Sequence, residues 1–170
     1  MTDASTMPKK TGASLARGRS ETVVGTPRVF LDAVERRWGP LTVDLAATAE
    51  NAKAPHCITP EQDSLVQDWY RLQGNLWLNP PYDDIGPWAK KCVTELAMAP
   101  LRGWRVLFLV PASIGSNWFA EHVYCHAAVH ALKGRLTFNG HKDPYPKDLI
   151  LAEYGSLDGK GFDVWDWRRS

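Results

Sequence analysis

The chain has 170 residues, of which 44% are hydrophobic and 23% are charged, and its formal net charge is only +1. This composition is typical of one ordinary globular domain, and the charge excludes a protein that is basic throughout. Three widely spaced cysteines and the lack of any apolar run of ~20 residues argue against a disulfide framework, a cysteine zinc site and a membrane span, so we expect a cytoplasmic protein.

The N-terminal residues 1–21 are small, polar and mildly basic, and they lack the periodicity of a helix or a strand. Such a composition predicts a disordered basic tail, followed by a single domain over residues 22–170. The domain is expected to begin with a helix over residues 26–39. Thr26 has the character of an N-cap, Pro27 suits the first helical position and Gly39 follows the last turn.

Strands and helices alternate through the rest of the chain. Apolar runs predict strands over residues 41–44, 75–79, 105–113 and 127–132, and helical spacing predicts helices over 83–99 and 116–124. Residues 46–74 are expected to be irregular. The last three apolar segments are expected to finish the sheet as antiparallel strands, over residues 134–140, 148–155 and 162–167.

Alternation of strands and helices indicates an α/β fold with a mostly parallel sheet. In such sheets ligands bind beyond the carboxyl ends of the strands. Asp44, Asn79 and Pro111 all lie at that end of their predicted strands. We therefore expect these residues to converge on one functional edge of the sheet.

The string Asn79-Pro80-Pro81-Tyr82 suits the methylation of an exocyclic amine on an aromatic ring. The lone pair of such an amine is delocalised, and two acceptors that bind its two N–H groups would aim it at an electrophile. The Asn79 oxygen and the Pro80 carbonyl, stiffened by the proline pair, would be these acceptors. Tyr82 would stack on a flipped base. The competing interpretation is a proline-stiffened turn in which Asp83 or Asp84 caps the next helix.

The same string resembles the catalytic motif of S-adenosylmethionine-dependent amino-methyltransferases. Its surroundings are similar to the phage-type DNA N6-adenine methyltransferases, the phage Dam family. The matching strings are "TPRVF" (26–30), "VDLAATAENAKAPHCITPEQDSL" (43–65), "NLWLNPPY" (75–82), "LVPASIGSNWF" (109–119) and "KGRLTF" (133–138). The resemblance implies a compact Rossmann-like methyltransferase fold, S-adenosylmethionine as methyl donor and adenine in DNA as acceptor. It also suggests a role in protecting phage DNA from host restriction.

The resemblance implies a cofactor site around residues 44–63. Asp44 would face the amino-acid end of the cofactor, Asp63 would accept from its adenosine, and Thr26 would close the site. Ala46 and Asn51 would contact the cofactor, and so would Asn79 of the catalytic motif. The string "DLAATAEN" departs from the usual pattern, because alanines stand where a glycine-rich loop is expected.

Several residues are candidates for contacting DNA, which would present a flipped adenine. They are Lys133, Arg135, His141, Lys142 and Lys147 in a basic segment, and Ser113, Ser116 and Trp118 after the third strand. Since the catalytic fold uses almost the whole chain, we expect weak or very short sequence recognition by a monomer or a homodimer.

Two other functions remain open at this point. Methyltransferases acting on RNA adenine or on a protein glutamine amide must also methylate a nitrogen whose lone pair is delocalised, and they use similar strings. A catalytically inactive DNA-binding relative would account for the missing glycines, and binding of S-adenosylmethionine separates it from an enzyme. No metal-ligand cluster, P-loop or G-x-S-x-G string is present.

Overall fold

A seven-stranded sheet forms the centre of the computed structural model, which describes residues 25–99, 102–156 and 159–169. The strands are β1 (Leu41–Asp44), β2 (His56–Cys57), β3 (Gly74–Leu78), β4 (Trp104–Pro111), β5 (Ala128–Leu132), β6 (Leu149–Tyr154) and β7 (Phe162–Trp165). Their order is β2-β1-β3-β4-β6-β5-β7, and only β6 runs antiparallel to its neighbours. The predicted α/β class and mostly parallel sheet are confirmed, whereas the predicted tail lies outside the described residues.

Three helices cover the sheet: α1 (Arg28–Trp38), α2 (Gly86–Met98) and α3 (Asn117–His122). Side chains alternate across β3, so Leu76 and Leu78 face the layer of α2 while Trp77 faces the layer of α1. All three are fully buried. Both faces of the central strands are therefore covered, as their continuous apolar runs predict. No helix in the described part of the chain is long and apolar enough to cross a membrane.

The start of α1 differs from the prediction. Pro27, not Thr26, holds the position before the helix, and no side chain caps it. Gly39 ends the helix as predicted, with φ at +90°, a backbone conformation that glycine adopts freely. The Thr26 hydroxyl is consequently free of a capping role.

The expectation of a strand over residues 134–140 is wrong. This segment is a loop that begins and ends at glycines with positive φ, Gly134 at +81° and Gly140 at +85°. Its apolar residues Leu136 and Phe138 are buried in the core beside α1, so their apolar spacing reflects packing of a loop.

The orientation of the last strand also differs from the prediction. β7 lies beyond β5 at the edge of the sheet and pairs with it in parallel. The reason is that β5 separates β7 from β6, the strand that precedes it in the chain. β7 still runs opposite to β6, but its hydrogen-bonded neighbour is β5.

Candidate active site

A cavity of about 880 Å³ opens at the carboxyl edge of β1 and β3. This volume is in the range usual for small-molecule sites. The predicted convergence of strand ends is confirmed, because β1, β3 and β4 are parallel neighbours in the sheet. The cavity is lined by every residue predicted for the cofactor and for the catalytic motif: Thr26, Asp44, Ala46, Asn51, Asp63, Asn79, Pro80, Pro81 and Tyr82.

Asp44 ends β1 and is only 3% exposed. One carboxylate oxygen accepts the N–H of Ala46 at 3.2 Å, and the other accepts the N–H of Lys53 at 2.9 Å. Burial raises the pKa of Asp44, and these two N–H groups together with the Lys53 charge offset only part of that effect. A desolvated carboxylate at a cavity wall favours a cationic ligand group.

Asn79 follows β3 directly, and both ends of its amide are hydrogen-bonded. Its Nδ2 donates to the hydroxyl of Thr26 at 3.1 Å, and its Oδ1 accepts the hydroxyl of Tyr82 at 2.8 Å. Thr26 is 2% exposed. The side chain predicted to accept from a substrate amine is thus held between two hydroxyl groups, on the cavity wall.

The turn formed by the proline pair carries no aspartate cap. The residue before α2 is Ile85, and no side chain caps the helix, which has a proline in its first turn. Asp83 and Asp84 are exposed instead. The expected cap by Asp83 or Asp84 is therefore wrong, although the proline pair does lie in the turn between β3 and α2.

Three aromatic rings pack edge-on beside the motif. The ring centroids of Tyr82 and Tyr145 are 5.7 Å apart, those of Phe138 and Tyr145 are 5.7 Å apart, and those of Tyr82 and Phe138 are 6.4 Å apart. Burial, and in second place repulsion from a neighbouring Tyr145 phenolate, raise the pKa of Tyr82 well above its ordinary value. The Tyr82 hydroxyl therefore stays protonated and able to donate.

Two predicted cofactor residues also stabilise local turns. Asp63 has φ at +49°, in the left-handed region, and its carboxylate accepts the N–H of Leu65 at 3.2 Å. The Asn51 oxygen accepts the N–H of Thr48 at 2.8 Å. Both residues also line the cavity, so each can stabilise its own turn and face a ligand.

The residues predicted to contact DNA are dispersed. Lys133 pairs with Asp166 at 2.7 Å, and Arg135 lies 3.7 Å from Asp148. Neither lines the cavity, although His141 does. Lys142 and Lys147 are exposed.

The predicted DNA-contacting residues after β4 are also separated from the main cavity. Trp118 lines a smaller, more open cavity that also reaches Tyr82 and Asp83. Ser113 lines neither cavity, and Ser116 caps α3 by accepting the N–H of Phe119 at 3.4 Å.

Lining residues missed by the sequence interpretation come from several segments, among them the loop between β5 and β6. Phe138 and Tyr145 belong to this loop, and Lys53 and Trp88 line the cavity from other segments. The apolar pair Leu136 and Phe138 in "GRLTF" was the available signal, but it also fits a strand. No group of three or more acidic, His or Cys side chains positioned to hold a metal ion occurs among the described residues.

Comparison with known proteins identifies a family and two phage relatives. Residues 18–155 match the family described as DNA N-6-adenine-methyltransferase (Dam). A DNA N-6-adenine-methyltransferase of Escherichia phage T1 is 27% identical over 138 residues, which cover 81% of this chain and 56% of that relative. One of Haemophilus phage HP1 is 32% identical over 128 residues, covering 68% of this chain and 70% of that relative.

The chain therefore spans just over half the length of the phage T1 relative. The family match nevertheless covers most of the chain, from before α1 to the end of β6. It includes the Asn-Pro-Pro-Tyr motif and all of the predicted cofactor residues. The resemblance inferred from the motif is confirmed: the chain belongs to the DNA N-6-adenine-methyltransferase (Dam) family.

Proposed function

We propose that the chain transfers a methyl group from S-adenosylmethionine to the N6 amino group of adenine in DNA, with weak or short sequence recognition. The observation that carries this proposal is the Asn79 amide, which lies beside Pro80 at a strand end and lines a ligand-sized cavity. Family membership and the phage relatives support it, and they support action on DNA in the cytoplasm of a host cell.

The cavity residues fit S-adenosylmethionine. When bound, this cofactor supplies a methyl group on a positively charged sulfur. Asp44 suits the α-amino group, because it is a buried carboxylate on the cavity wall and would attract that group's positive charge. Ala46 allows close approach of the methionine chain, and Asp63 would accept from the adenosine. The parallel strands with ligand residues at their carboxyl ends support a Rossmann-like methyltransferase domain over residues 22–170.

Asn79 and Pro80 would prepare the adenine amine for attack. Each accepts one N–H, which disfavours the planar nitrogen and directs its lone pair towards the methyl group. The bound cofactor would supply the methyl group, and the nitrogen would carry a positive charge once it has accepted that group. It becomes acidic and releases one proton through the Asn79 or Pro80 oxygen to water, so a strong general base is unnecessary.

Tyr82 would hold the flipped base by stacking against its ring. The aromatic face offers ~1–3 kcal/mol for each stacked base. The Tyr82 hydroxyl donates to the Asn79 oxygen, so it occupies the acceptor that the amine needs. Entry of the base would displace this hydroxyl if the amine takes the same lone pair of the Asn79 oxygen.

Contacts to the DNA backbone would come first from exposed polar and basic side chains at or next to the cavity. His141 lines the cavity and Lys142 follows it in the chain. Lys133 and Arg135 would have to leave their present carboxylate neighbours to reach phosphates. A small number of such contacts supports binding with little base-specific readout.

Methyl transfer from tritiated S-adenosylmethionine to unmethylated DNA tests the proposal. After digestion to nucleosides, label should appear in N6-methyladenine with wild-type protein and be absent with Asn79→Ala. Asn79→Asp, which retains an acceptor oxygen, should keep measurable activity. Label in RNA or in protein glutamine would point to the alternative substrates. Failure to bind the cofactor would contradict an enzymatic function.

A further inference from the structure

We propose that Thr26 is a positioning residue for the Asn79 amide: it provides the acceptor that keeps the amide oxygen turned towards the substrate amine. This inference rests on the proposed function, and it gives Thr26 a role different from contact with the cofactor. It follows from the hydrogen bonds of Asn79 and from the way that Thr26 is held.

An asparagine that binds an amine must present one particular end. The amide carries a carbonyl oxygen, which accepts, and an NH₂ group, which only donates. The terminal torsion of asparagine is broad and roughly two-fold, so the side chain alone does not select an end. If the NH₂ group of Asn79 faced the substrate amine, N–H donors would face N–H donors. The lone pair of the amine would then not be directed towards the methyl group.

The geometry provides the partner that the productive orientation requires. When Oδ1 of Asn79 faces the amine, Nδ2 points away and needs its own acceptor in a largely buried place. The Thr26 hydroxyl lies 3.1 Å from Nδ2 and is that acceptor. At 2% exposure, Thr26 leaves little room for water to replace it.

Thr26 itself is held from both sides. The Nδ2 of Asn139 donates to the Thr26 carbonyl at 3.4 Å, and the backbone N–H of Asn139 donates to the Gly25 carbonyl at 2.9 Å. On the other side Thr26 leads through Pro27 into α1, which is fixed in the core by fully buried Phe30. The hydroxyl therefore occupies a stable position from which to orient the amide.

The test compares Thr26→Val, which replaces the hydroxyl by a methyl group of similar size, with Thr26→Ser, which keeps it. We expect Thr26→Val to lower kcat about tenfold, equivalent to ~1.4 kcal/mol, with the Kd for S-adenosylmethionine changed less than twofold. Thr26→Ser should restore most of kcat. Thr42→Val is the matched control, because it removes a threonine hydroxyl bonded at 2.7 Å to the Gln73 carbonyl, outside the cavity.

The same substitution in Asn79→Asp protein distinguishes an orienting role of Thr26 from a packing role. The carboxylate of Asn79→Asp has two equivalent oxygens, so an acceptor faces the amine in either orientation of the terminal torsion. In Asn79→Asp protein, Thr26→Val should lower kcat less than threefold. An equal loss in both backgrounds would assign Thr26 to packing alone, and a weaker cofactor Kd with unchanged kcat would assign it to cofactor binding. Either result overturns the inference, as does a Thr26→Val enzyme with wild-type kcat.

A readout without catalysis keeps the inference separate from the proposed function. The Asn79 NH₂ signals in a ¹⁵N spectrum, identified by their absence in Asn79→Asp, should exchange with solvent at least fivefold faster in Thr26→Val. Unchanged exchange would overturn the inference, whereas absence of methyl transfer by wild type would overturn only the proposed function. If Thr26→Val does not fold, Thr26→Cys replaces it, since a thiol is a poor acceptor.

Discussion

Replacing Tyr82 with phenylalanine removes the hydroxyl that occupies the Asn79 oxygen and keeps the ring that would stack on the base. In the DNA-free protein this hydroxyl donates to Oδ1 at 2.8 Å. If the adenine amine needs the lone pair of that oxygen which the hydroxyl occupies, the bond must break before the base can bind productively. The variant omits that step, so we expect it to bind the flipped base more tightly than wild type.

The hydrogen bond sets the size of the effect. A typical intramolecular hydrogen bond contributes about 0.5–1.5 kcal/mol net. Near the middle of this range, ~1 kcal/mol, its removal should increase kcat/KM for DNA about fivefold, because ~1.4 kcal/mol corresponds to tenfold. The unfolding free energy should fall by a similar amount, since the DNA-free protein loses the same bond. Tyr82→Ala should instead lower kcat/KM, because it also removes the stacking face.

Steady-state methyl transfer at varied DNA concentration, together with urea unfolding, measures both quantities. Tyr154→Phe is the control: its hydroxyl donates to the His122 carbonyl at 2.7 Å, outside the cavity. That variant should lose stability without any gain in kcat/KM. A Tyr82→Phe enzyme with lower kcat/KM than wild type would refute the competition between hydroxyl and amine, and would assign the hydroxyl a productive contact.

Asp44→Asn should weaken cofactor binding at least tenfold in calorimetry. In wild type the affinity should decline as the pH falls through the raised pKa of Asp44, and a flat wild-type profile would contradict this. Burial alone would raise the pKa of Glu153, but hydrogen bonds from His130 and neighbouring groups outweigh it and lower the pKa below 4.5. The stability that Glu153 contributes should therefore be complete above about pH 5 and lost as the pH falls below its folded pKa. In urea unfolding, the difference in unfolding free energy between wild type and Glu153→Gln should therefore become smaller in acid. Gly155→Ala should lower the melting temperature by several degrees, because φ is +82° and a Cβ would lie 2.6 Å from the Trp104 carbonyl; an unchanged melting temperature would contradict that reasoning.

Features set by local sequence were predicted well. The continuous apolar run of β4 has the pattern of a strand covered on both faces, and the two core layers provide that cover. The positions of Asp44 and Asn79 followed from strand ends plus the rule that parallel strands place their carboxyl ends together. These predictions needed only the spacing of neighbouring residues and the parallel order of the strands.

Features set by long-range packing were not predicted. Phe138 and Tyr145 reach the motif because their loop lines the cavity, and the spacing of Leu136 and Phe138 in that loop resembles a strand. Thr26 looks like a helix cap by its position before Pro27, but its hydroxyl bonds to a residue more than fifty positions away. A single sequence carries no local sign of such pairings.

The hydrogen bonds of Asp44 explain how the segment after β1 forms its turn without a glycine-rich loop. Among the described residues, positive φ outside glycine occurs only at Asp63 and Cys125, so the segment after β1 requires no left-handed backbone. It is closed instead by the Asp44 carboxylate, which bonds to the N–H groups of Ala46 and Lys53. One side chain therefore shapes the loop and also presents negative charge to the cavity. Loss of the carboxylate should consequently disturb the loop and the cofactor site together.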